Sequence, residues 1–224
     1  MNSRLISPLL ALVLAAGVTA SQAASVRFTG WAFGTGNNVH ASAPIYNGQA
    51  GGFSTVVDGN AIQTYCVELS QSFFWNTTYT DFSQRTALDY FGSASGKAQK
   101  LGRLLSYVAD NTGAVDSASE STAMQLAVWN IVYDNDLAMG GGSFTDTSSF
   151  AGHANSLLSA SANWTNKMNV WVLGSPSRQD QLRWSVAPLG STLNSVPEPA
   201  SLGLVLLALG GAGVAARRRR SRSR

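Results

Sequence analysis

Ala61-Ile62-Gln63-Thr64-Tyr65-Cys66-Val67-Glu68-Leu69 decides the fold class. Read at the two-residue period of a strand, Ala61, Gln63, Tyr65, Val67 and Leu69 face one way. Ile62, Thr64, Cys66 and Glu68 face the other. Asp58-Gly59 just before this stretch suits a tight hairpin turn, whose central positions need positive φ, and Phe53–Val57 supplies the partner strand. Working outward, Val26, Phe28 and Gly30 alternate with polar or small residues, and Phe73–Thr80 is a further strand candidate. Asn169–Leu173 and Gln181–Val186 read as strands returning to the sheet.

The middle of the chain carries the helical period instead. Ser83–Phe91 predicts a short helix, and Lys97–Ala109 places Leu101, Leu104, Leu105 and Val108 on one face. Ser117-Ala118-Ser119-Glu120 is a capping box that opens a helix running to about Asp134. On that helix Met124, Val128, Ile131 and Val132 share a face, with Gln125 at its edge between Val132 and Trp129. A glutamine facing the core needs partners for its amide. Ser148–Ser161 completes the helical set. Strands first, helices in the middle and strands last predict an α+β fold: a barrel-like β-sheet subdomain with an inserted helical subdomain. A single ectodomain over residues 24–187 is long enough to bury a substantial core.

The two ends of the chain are addresses. Residues 1–23 read as a signal peptide, with Arg4, an apolar run from Leu9 to Val18, and a Ser21-Gln22-Ala23 site cut after Ala23. Residues 188–195 form a linker. Pro197-Glu198-Pro199 then precedes an apolar segment over 200–216, about 26 Å long as a helix and closed by an arginine-rich tail that stays cytoplasmic by the positive-inside rule. Residues 196–224 resemble the PEP-CTERM sorting signal of Gram-negative bacteria in motif, order and position. That resemblance implies signal peptidase and an exosortase-type protease as processing partners, with the membrane engaged only transiently. It places the protein at the cell envelope, the outer surface or the extracellular matrix.

The formal net charge of +3 belongs to these addresses. Residues 24–195 hold eight basic and eleven acidic residues, a balance of −3. No basic patch points to nucleic acid.

Cys66 is the chain's one cysteine, and an odd cysteine in an exported chain implies an intermolecular disulfide, a reactive thiol or a buried bystander. A fourth option joins Cys66 to the side chain of Gln125 as an internal thioester. Tyr65-Cys66-Val67-Glu68 and Gln125-Leu126-Ala127-Val128-Trp129, in that order and in strand-then-helix context, resemble the thioester domains of bacterial surface adhesins. The threonine that this family places before the glutamine is Met124 here. The resemblance implies a Cys66–Gln125 bond shielded from water by Tyr65, Trp129 and Val132, and attacked by a nucleophile on a surface protein or polysaccharide. Such chemistry is single-use, so no catalytic residue, turnover, cofactor or metal is expected.

Three other readings carry less. A Cys–His dyad needs His40, in a Gly/Asn/Ser-rich loop, or His153, in a serine-rich helix. Asp134-Asn135-Asp136 with Gly140-Gly141-Gly142 lacks a complete calcium loop, and the six tryptophans are scattered singly as core residues are. A non-reactive structural or biofilm-matrix protein is the alternative function, for which the sorting signal alone suffices.

Overall fold

The computed structural model describes residues 22–187. Most of the signal peptide, the linker and the sorting segment, with its apolar stretch over 200–216, lie outside them. β1 (Gln22–Trp31) leads into β2 (Asn37–Ala41), β3 (Tyr46–Ala50), β4 (Phe53–Val57), β5 (Asn60–Cys66) and β6 (Thr78–Thr86). Four helices follow: α1 (Ala87–Phe91), α2 (Lys97–Asp110), α3 (Ala118–Tyr133) and α4 (Ala151–Ser161). β7 (Met168–Gly174) and β8 (Gln181–Val186) end the domain. The strands close into a barrel in the order β1-β4-β5-β8-β7-β6, while β2 and β3 form a separate two-stranded sheet. The helices lie in sequence between β6 and β7, so the α+β fold with an inserted helical part is the one observed.

Local chemistry explains the β4–β5 hairpin. Phe53, Thr55 and Val57 are buried and alternate with half-buried Ser54 and Val56. Asp58 and Gly59 take φ of 49° and 82°, the double positive-φ turn that the sequence predicts. The Asp58 carboxylate also accepts the Ser25 N–H at 2.8 Å, tying the turn to β1. Inside the barrel the Phe28 ring, wholly buried, meets Phe73, Phe53 and Phe82 at centroid distances of 4.1, 5.8 and 6.3 Å.

The strand expected through Leu69 ends at Cys66 and the helix expected from Ser148 starts at Ala151; two larger differences follow. The strand expected over Phe73–Thr80 starts at Thr78 and runs to Thr86, taking the first residues of the helix expected over Ser83–Phe91. Pairing on both sides decides it, since Ser83 and Gln84 bond β1 on one edge and β7 on the other. Only Ala87–Phe91 remains helical, capped by the Thr86 hydroxyl, which accepts the Asp89 N–H. The loop expected around His40 is instead the β2–β3 hairpin. Its bonds come from distant chain: Thr122 Oγ1 donates to the Ala50 carbonyl, and the His40 N–H donates to Asp146.

α3 begins at the expected capping box, with Ser117 Oγ accepting from Glu120 N–H and Glu120 Oε2 accepting from Ser117 N–H. Every residue from Ser121 to Ile131 is buried. The helix therefore has no wet face along this length. It is enclosed by α2, α4, β5 and the β2–β3 hairpin.

Candidate functional site

β4 pairs with β5 only as far as Phe53↔Thr64. Three residues on, the Val67 N–H donates to the Asp180 carbonyl on the β8 side. Its neighbour Cys66 therefore presents its N–H and C=O to the opposite edge, which β4 no longer covers. Gln125 of α3 fills that gap. Its Oε1 accepts from the Cys66 N–H at 2.9 Å, and its Nε2 donates to the Cys66 carbonyl at 2.7 Å. The primary amide thus takes the place of a strand residue, exchanging both bonds with one partner as a hydrogen-bonded antiparallel pair does. Cys66 and Gln125 are each only 1% exposed.

The Cys66 thiol donates to the Glu68 carbonyl at 2.5 Å, and the Glu68 N–H reaches back to Sγ at 3.4 Å. Around it the chain is pinned on three sides. The Leu69 N–H donates to the Tyr133 hydroxyl, Gln179 Nε2 donates to the Glu68 carbonyl, and the Glu68 carboxylate accepts the Gln71 N–H. Burial pushes the Cys66 thiol far above its ordinary value, and the charges of Glu68 and Asp180 push the same way. The Trp129 indole N–H is close enough to the sulfur to oppose that shift, although it makes no hydrogen bond of normal geometry.

Cys66, Gln125 and Trp129 thus come together. Tyr65 does not face the sulfur. It is buried on the other side of β5, its ring stacked on Trp184 at 5.9 Å and its hydroxyl accepting from Gln63. Val132 is half-buried near the C-terminal end of α3. Two tyrosines not singled out in the sequence flank the thiol instead. Tyr46, from the unexpected hairpin, sets its ring edge-on to Trp129 at 5.3 Å, and Tyr133 is two turns beyond Gln125 on α3. Both hydroxyls are pushed up to about 12, first by burial and next by Cys66. Tyr133 was legible from the helical period; Tyr46 had no local signal.

The competing sites are occupied otherwise. His40 Nδ1 bonds Asn47, and neither histidine is hydrogen-bonded to Cys66 among the described residues. Asp134 accepts the Ser143 and Phe144 N–H groups, and Asp136 accepts those of Leu137 and Ala138, so both carboxylates hold turns. No cluster of three or more His, Cys, Asp or Glu able to hold a metal exists among the described residues.

In the unlinked protein, these upward shifts predict weakening on the alkaline side. An acid whose folded pKa is raised keeps its proton in the folded state while the unfolded chain releases it. Stability is then unaffected below the unfolded pKa and falls as pH rises above it. The fall should begin near pH ~8.5 for Cys66, with Tyr46, Tyr65 and Tyr133 adding to it above about pH 10. Urea midpoints across this range check it, and Cys66→Ala should remove the early part of the fall.

Residues 195–220 match the PEP-CTERM protein-sorting motif, and Pro197, Glu198 and Pro199 fall inside the match. The chain is therefore an exported protein, processed by signal peptidase and exosortase and directed to the cell envelope or surface of a Gram-negative bacterium. No helix among the described residues is long and apolar enough to cross a membrane. No curated protein matches the chain. Among solved structures it is weakly similar to the N-terminal thioester domain of a surface protein from Clostridium perfringens, solved as a cysteine-to-alanine mutant. The two share 10% identity with a TM-score of 0.42, over 60% of this chain and 89% of that one.

Proposed function

We propose that this is a surface protein that attaches covalently to a partner through a thioester between Cys66 and Gln125. The observation that carries the reading is the grip of the Gln125 amide on both backbone groups of Cys66, inside a site closed to water. In bond formation Sγ attacks Gln125 Cδ, the C–N bond breaks, and the thiol proton leaves with the nitrogen as ammonia. An amide is a poor electrophile, so holding the two groups together is the main aid. The Cys66 N–H already bonded to Oε1 stabilises the negative charge that develops there. Closing the bond removes Nε2 and leaves the Cys66 carbonyl without its donor. An amine nucleophile restores an N–H at that position and a hydroxyl does not, which favours a lysine-like partner on a surface protein over a polysaccharide hydroxyl.

A second reading has its own support. Both polar atoms of the Gln125 amide have a partner and the thiol is paired with Glu68, which also suits a non-reactive matrix protein whose glutamine only extends the sheet. Intact mass separates the two. A freshly purified ectodomain one ammonia lighter than its sequence, converted by methylamine and absent in Cys66→Ala, supports the linkage. An unmodified mass with a titratable thiol in repeated fresh preparations supports the matrix protein.

A further inference from the structure

The Trp129 indole N–H is buried and has no hydrogen-bond acceptor. Buried donors are nearly always paired, so an indole where a plain phenyl ring would fill space calls for a physical reason. Trp129 lies one helical turn after Gln125, and the two side chains share a face of α3. Gln125 grips the backbone of Cys66, and the Trp129 ring, wedged between Tyr46 and Phe144 at 5.3 and 6.4 Å one turn further on, stands on the same side with its N–H near the sulfur but outside hydrogen-bond geometry.

We propose that the Trp129 N–H is a donor held in reserve for the Cys66 sulfur, stabilising it as the leaving group when the thioester opens; this rests on the linkage proposed above. The amine nitrogen of the partner attacks Gln125 Cδ, the C–S bond breaks, and its electron pair stays on sulfur. Trp129 donates to that thiolate and keeps its own proton throughout. The surplus proton on the new amide nitrogen passes to the sulfur, leaving a secondary amide and a free thiol, with no other reactant needed. The resting thiol is a weak acceptor, which explains why the N–H is unpaired before the reaction. The Cys66 N–H serves the oxygen, and Trp129 serves the sulfur.

The test uses the full-length chain with Trp129→Phe, which removes the N–H and keeps an aromatic ring. The linkage, read by intact mass, should still form, while methylamine labelling should slow roughly tenfold to a hundredfold, the worth of a hydrogen bond to a charged group. An unchanged rate overturns the proposal. In protein that lacks the linkage, whether wild type or variant, the indole N–H signals read the same donor through their response to Cys66→Ala. A wild-type chain without the linkage therefore defeats the thioester while leaving the donor testable. If Trp129→Phe does not fold, indole N–H signals of the otherwise wild-type chain replace it. One of the six tryptophan signals should move upfield in Cys66→Ala, and none moving overturns the proposal.

Discussion

Gln125→Leu is expected to abolish methylamine labelling and to destabilise the domain by about 2–5 kcal/mol. Both effects trace to one amide. Leucine fills much the same volume but leaves the Cys66 N–H and C=O unpaired in a buried setting, and each orphaned group costs about 1–3 kcal/mol. Labelling is lost because no acyl carbon remains. Gln125→Glu divides the two effects. A protonated glutamic acid can still pair with both backbone groups, so the fold survives at low pH. As pH rises past the unfolded carboxyl value of about 4.3, burial makes the charged form costly and stability falls. Urea unfolding across pH, read beside intact mass, checks all three statements. A leucine variant as stable as wild type would show that the strand-like grip does not support the sheet.

Phe28→Ala is expected to cost about 3–5 kcal/mol, a large share of the usual reserve of about 5–15 kcal/mol. Phe28 on β1 is fully buried, and its ring contacts Phe53, Phe73, Tyr79 and Phe82. Those four rings come from β4, from β6 and from the segment between β5 and β6, so the barrel cannot collapse around the gap without moving several elements at once. Phe28→Leu should cost markedly less, because it keeps most of the buried volume. Thermal unfolding of the two variants against wild type reads the difference, and equal losses would count against a rigid barrel core.

The parts of this fold that were legible are those whose cause is local. The Asp58-Gly59 turn, the strand leading to Cys66 and the Ser117–Glu120 box are each set by residues within a few positions. What was not legible depends on partners far along the chain. The β2–β3 hairpin is made mostly of small and polar residues, and it is ordered by Thr122 and Asp146. β6 extends to Thr86 because β1 and β7 both offer edges there. The need of Gln125 for partners was readable from its place on α3. That the partner is the backbone of Cys66, exposed where β4 runs out, required the register of the barrel. Tyr65 shows the opposite limit. Its neighbour in sequence is the thiol, but the strand period turns its ring to the other side.

The position of β8 bears on how this molecule would behave under tension. Its first residue, Gln181, lies opposite Cys66, it runs beside β7 along its whole length, and its far end leads toward the sorting motif. Held by that end while Gln125 is fastened to a partner, the domain takes load along the axis of β8, at right angles to the hydrogen bonds on its flanks. Those bonds then resist together as a shear joint instead of opening one after another like a zip. β1 and β4 stand outside that line of force, so a pull would be felt first where β8 meets β5 and β7.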